Sequence, residues 1–177
     1  MRTKMEGRWA MPESKLTVSL RAVAAEMDLP NDEWTAYINR RTGELVTVTD
    51  DDASAVEDEA SAEDLPDWQA EHLPKVREVL GSADFLPLPS KFDINEYGIM
   101  KRFCEHVADA RLRDDLLPAI QGSGAFGRFK TLAHHRGVIE EWYAFRDRAV
   151  EDIAAEWLEA NGIAYTREAP SSGGSDA

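Results

Sequence analysis

The one stretch of this chain whose residue types and spacing suit ligand chemistry is QGSGAFGRFKTLAHHRG, residues 121–137. It carries Arg128, Lys130 and Arg136 together with His134 and His135, and no carboxylate interrupts them. In a chain of net charge −14 it is a positive island. Gly122, Gly124 and Gly127 allow backbone to approach a ligand closely. A helix is expected to begin near Ala125, where unpaired N–H groups and the positive end of the helix dipole attract anions. The candidate binding set is therefore Gly122, Gly124, Ala125, Arg128 and Lys130. Gly124 and Ala125 would donate backbone N–H groups to a phosphate or carboxylate, and the two cations would neutralise it. A competing, purely architectural reading fits the same residues. Gly122 stops one helix, Gly124 opens the next, and Phe126 and Phe129 face the core, since a tight helix–helix turn needs this glycine chemistry anyway.

Other constellations fail on spacing. Gly122 and Gly127 have the separation of a nucleotide-binding P-loop, but that loop needs its lysine directly after the second glycine, and Arg128 stands there. Cys104 and His106 lie two apart, which on a helix points them to different sides, so they make no catalytic dyad. Cys104 adjoins Phe103 and reads as a small core hydrophobe. No recognised metal-ligand spacing joins Cys104, His106, His134 and His135, and Asp50-Asp51-Asp52 lacks the alternation and glycine of a calcium loop. No catalytic residue, metal or cofactor is expected. Trp142, Tyr143, Phe145 and Trp157 at helical spacing read as core, and Arg146, Asp147 and Arg148 as a solvated face with surface ion pairs of little worth.

These residues need elements to hold them. Leu20, Val23, Ala24 and Met27 recur with helical period behind Ser19, a suitable N-cap, and Pro30 ends that helix. Trp34 to Asn39 and Leu45 to Val48 alternate as strands around Arg-Arg-Thr-Gly, a hairpin that must pack on other elements to be stable. Pro74 is placed in the first turn of a helix carrying Val76, Val79 and Leu80 and stopping at Gly81. SADFLPLPSKFD reads as an extended connection. Four amphipathic stripes follow: Ile99 to Val107, Leu112 to Ile120, Phe126 to Ala133, and Ile139 to Trp157. Short connections between them imply antiparallel neighbours in a bundle. Ile163 to Thr166 suits a last short strand.

The fold class expected is α+β, predominantly helical: a C-terminal bundle with a small N-terminal helix and β-hairpin. The organisation expected is a flexible 1–14, helix and hairpin over 15–49, an acidic linker over 50–66, the bundle over 67–168, and a disordered tail 169–177. The linker assignment rests on charge. Ten carboxylates from Asp50 to Glu71, with no Lys or Arg among them, supply most of the net charge. A pI of 4.7 argues against a general nucleic-acid binder, whose surface must be basic. Only a local contact through the island, extended by Arg111, Arg113, Arg146 or Arg148, stays open. A single cysteine allows no internal disulfide. No apolar run is long enough to span a membrane, and no apolar block follows Arg2, Lys4 and Arg8, so neither an anchor nor a secretory signal is expected. Met5 and Met11 are alternative starts.

YINRRTGELV, FDINEYGIMKRFCEHV, AIQGSGAFGRFKTL and EEWYAFRDRAVEDIAAEWLEANGI occur in this order. Together they resemble the uncharacterised bacterial family UPF0158 from roughly Trp34 to Ile163. The most specific part is Gly122 to Lys130 followed by Trp142 to Phe145. The resemblance implies a bacterial, cytoplasmic setting and assigns no catalytic residues. With no catalytic constellation in view, the function expected is a non-enzymatic module that binds a protein partner. The alternatives are a small anionic ligand at the Gly122–Lys130 turn and weak nucleic-acid contact through the island.

Overall fold

A computed structural model describes residues 16–29 and 33–167. Pro30 and the segments 1–14 and 169–177, for which the sequence sets expectations, lie outside the described residues. The chain runs β1 (Thr17–Ser19), α1 (Leu20–Met27), β2 (Trp34–Asn39), β3 (Leu45–Thr49), α2 (Asp50–Glu57) and α3 (Asp67–Gly81). It continues through β4 (Phe85–Pro87), α4 (Lys91–Ile94), α5 (Glu96–His106), α6 (Ala110–Ala119), α7 (Ala125–His135), α8 (Ile139–Ala160) and β5 (Ala164–Thr166). The fold is α+β and predominantly helical.

Local chemistry explains the element ends. The Ser19 hydroxyl accepts from Ala22 N–H and starts α1. Gly43, at φ +74°, turns the β2–β3 hairpin. Asn95 adopts φ +48°, closes α4, and its side chain accepts from Gly98 N–H to open α5. The hairpin gains a third strand: β4 pairs antiparallel with β2 in the order β3-β2-β4, so SADFLPLPSKFD is more than a connection. Its last residues, Lys91 to Asp93, begin the short α4. β1 and β5 form a separate parallel pair, with Thr17 opposite Ala164.

The period of two in these strands divides the interior into two cores. Ala36, Ile38, Leu45 and Leu86 face the main core, built from α1 and α5–α8. Tyr37, Val46, Val48 and Phe85 face the other way, onto Val76 and Val79 of α3. The sheet is thus covered on both faces, and α3 belongs to its outer layer rather than to the bundle.

That outer layer corrects the linker expectation. Asp50–Glu57 is a helix whose first turn carries Asp50, Asp51 and Asp52, capped by the Thr49 side chain accepting from Asp52 N–H. Three carboxylates at a helix N-terminus meet the positive end of its dipole, which favours helix where composition alone suggests coil. Ala53 and Val56 pack against the outer core, and Ala55 is buried. The 60–66 segment includes a single 3-10 turn, Ala62–Asp64, and Arg77 donates to Ala60 O to fasten it to α3. The start of α3 also differs from expectation. It begins at Asp67 behind Pro66, so Pro74 lies inside the helix.

Phe103, Phe129, Trp142 and Phe145 form an edge-to-face cluster in the main core, with centroids 5.0–5.9 Å apart. Each such pair adds about 0.5–1.5 kcal/mol beyond its buried area. Phe126, by contrast, is 39% exposed and Tyr143 41%, so neither is core. Among the described residues no helix is long and apolar enough to cross a membrane.

Candidate functional site

The Gly122–Lys130 turn is where the sequence directs attention first. α6 ends at Ala119, and Gly122 and Gly124 both adopt positive φ, +73° and +75°. Gly124 is the N-cap of α7, with no side chain capping the helix. Arg128, one turn further on, folds back over this bend. Its Nε donates to Ala119 O, 3.1 Å away, and its two terminal nitrogens donate to Ser123 O and Gln121 O. The guanidinium therefore satisfies carbonyls that the end of α6 and the following turn leave without helical partners.

This differs from the anion-binding expectation, and the reason is geometric. Arg128 spends its donors on its own backbone. Lys130 is exposed, but two residues along a helix is a rotation of roughly 200°, so it stands on the other side of α7 from Arg128. Arg136 is held by Asp115 of α6. Phe129 is buried as the architectural reading requires, whereas Phe126, which that reading also places in the core, is 39% exposed. The five residues Gly122, Gly124, Ala125, Arg128 and Lys130 do not converge on one ligand position.

Other candidates resolve in the same way. Cys104 is fully buried, and burial pushes its thiol up to about 11, which removes its nucleophilicity at neutral pH. His106 is exposed, with Nδ1 2.7 Å from Arg102 O. Among the described residues no group of three or more His, Cys, Asp or Glu is arranged to hold a metal.

Sequence reasoning missed Arg146. It is no solvated surface residue: 19% of its side chain is exposed, and it joins three helices. Its terminal nitrogens donate to both oxygens of Asp28 at 2.6 and 2.7 Å, and its Nε donates to Glu96 at 2.9 Å. Asp28 caps the C-terminus of α1 and Glu96 lies in the first turn of α5. The Asp28 hydrogen bonds, then the one to Glu96, raise the Arg146 pKa against the opposing effect of burial.

α8 also carries more apolar surface than one interface needs. Trp142, Val150, Ala154 and Leu158 are buried. Beside them runs a second column, Phe145, Ala149, Ile153 and Trp157, spaced by four and only half-buried. Its inner edge packs on the core. Its outer edge floors a groove with three adjoining sections. Phe145, Ala149 and Ile153 line the first, of about 470 Å³, with Arg102, Arg148, Asp152 and Glu156. Ile94, Gly98, Lys101 and Ile153 line the second, of about 380 Å³. Leu88, Pro89, Asp93, Ile153, Glu156 and Trp157 line the third, of about 550 Å³. Ile153 is common to all three. The strict spacing of four was the signal available in the sequence: two adjacent apolar columns on one helix exceed a single packed face.

A larger concavity, about 670 Å³, separates α1 from α8. Its floor is Ala24, Ala25 and Ala144, and Arg21, Asp28, Asp147 and Glu151 surround it. Small side chains under a mixed-charge rim offer no large apolar anchor, so the α8 groove is the better candidate despite the smaller volume of each section.

No curated protein and no solved structure matches the chain. A family model does match, over residues 14–171, which is most of its length. The chain belongs to the uncharacterised protein family UPF0158.

Proposed function

We propose that this protein is a cytoplasmic, non-enzymatic interaction module whose working surface is the groove along α8. One observation carries the reading. Phe145, Ala149, Ile153 and Trp157 form a continuous apolar floor that the other described residues do not fully cover. Helix-binding grooves present this kind of surface, an apolar trough that receives the apolar face of a partner helix. Phe92 on α4, next in sequence to the groove residue Asp93, is 81% exposed, with Lys91 Nζ 5.2 Å from its ring centroid. The buried, proton-retaining Cys104 and the self-satisfied Arg128 remove two groups that the sequence offers for chemistry.

The test is site-specific photocrosslinking in the native host from a probe placed at Ala149. The expected result is one protein adduct that is lost when Ile153→Lys is added, while circular dichroism shows the variant still folded. An adduct pattern unchanged by Ile153→Lys overturns the proposal.

A further inference from the structure

Resting on that reading, we infer that the groove takes an amphipathic helix laid parallel to α8, acidic at its N-terminal end and basic at its C-terminal end. The floor sets the length. Phe145 to Trp157 is three steps of four residues, about 18 Å at 1.5 Å per residue, so a matching stripe occupies about three turns of a partner helix. The concavity sets the shape. A trough walled by α5 on one side and by residues 87–93 on another suits a convex element such as a helix.

Charge along the groove sets the direction. The section over Phe145 and Ala149 is lined by Arg102 and Arg148, with Asp152 and Glu156 further along α8 towards Trp157. Arg102 has no ion-pair partner among the described residues, and Arg148 only returns its Nε to Ala144 O. Beside Trp157 stand Asp93 and Glu156, and Glu156 likewise has no partner among the described residues. Asp152, between the two ends, is answered by Arg167 at 3.5 Å. The trough is therefore positive at the Phe145 end and negative at the Trp157 end. Helices favour acids in their first turn and bases in their last, because these oppose the helix dipole. Such a helix fits the polarity in one orientation only, with its N-terminus over Phe145. Rim charges of this kind direct orientation and encounter more than they add affinity.

The experiment uses two synthetic 18-residue peptides with the same leucine stripe. One carries glutamates in its first two turns and lysines in its last two, and the other has these charges exchanged. Binding to the full chain is read by fluorescence anisotropy. The expected result is about tenfold tighter binding of the first peptide, since several exposed pairs each change sign. Arg102→Glu combined with Arg148→Glu, both on the surface, should abolish or invert that preference. Equal affinities, or tighter binding of the exchanged peptide, overturn the inferred polarity and leave the groove reading standing. Binding of neither peptide at millimolar concentration overturns both.

Discussion

Replacing Arg146 with alanine is the sharpest test of how the helices are held together. The substitution removes three charge-assisted hydrogen bonds, two to Asp28 and one to Glu96. The carboxylates are 33% and 39% exposed, so water recovers part of the loss, and the full cost of stranding a buried charge does not apply. Allowing about 0.5–1 kcal/mol per bond after that screening gives about 1.5–3 kcal/mol. The covered stem of the side chain adds about 0.5–1 kcal/mol of packing. The sum, about 2–4 kcal/mol, corresponds to a Tm lowered by about 5–12 °C for a chain of this size. Arg146→Lys should lose about half as much, because one ammonium cannot bond both oxygens of Asp28 and reach Glu96 as well. The Arg146 pKa is raised, so its contribution is complete below the ordinary arginine value and is lost only when pH climbs through the higher folded value. Neutral buffers therefore report it in full. The assay is urea and thermal unfolding, with Arg148→Ala as the control, expected within about 0.5 kcal/mol of the parent. Equal stability of Arg146→Ala and Arg148→Ala would refute the clamp.

Four further substitutions probe other features. Gly124→Ala should destabilise by about 1 kcal/mol or more, because φ is +75° and the new Cβ would lie 3.3 Å from Arg128 Nη1. Gly127→Ala, in open space inside α7, should stabilise by about 0.5–1 kcal/mol, and opposite signs in chemical denaturation check both. Stability should fall as pH rises from the ordinary Cys104 value of 9.0 towards about 11, because the unfolded thiol ionises first; Cys104→Ala should lack this alkaline loss in a pH series of unfolding curves. Asp52→Asn should shift stability by less than about 1 kcal/mol, because relief of Oδ1, buried with no hydrogen-bond partner among the described residues, offsets the attraction lost at the positive end of the α2 dipole; a thermal melt decides.

Much of the fold was legible wherever local chemistry decides the outcome. Ser19 before Leu20, Val23, Ala24 and Met27 marks α1, and the alternation around Gly43 marks the hairpin. The helix over Asp50–Glu57 was not legible, because its carboxylates read as coil while its support comes from tertiary context. The outer faces of Val46 and Val48 need a cover, and Ala53 and Val56 supply part of it. β4 was hidden because Pro87 reads as a breaker, yet it sits at the end of an edge strand where a missing N–H does no harm. At the candidate turn, residue types were read correctly and their direction was not. Arg128 reaches Ala119, nine residues back, along a path fixed by two positive-φ glycines, and no spacing rule encodes that. Arg146 finds Asp28 across 118 residues and Glu96 across 50, which only the packed helices determine.

The short parallel pairing of β1 with β5 has a mechanical consequence. It joins Thr17 to Ala164 and Ser19 to Thr166 across nearly the whole described chain. Tension applied through residues 16 and 167 runs along both strands in opposite senses. Their hydrogen bonds must then slide past one another together instead of opening one at a time, as they would in a peeled hairpin. A three-residue ribbon placed this way acts as a latch on everything threaded between its strands, and stretching the molecule should show that latch yielding before the helices unwind.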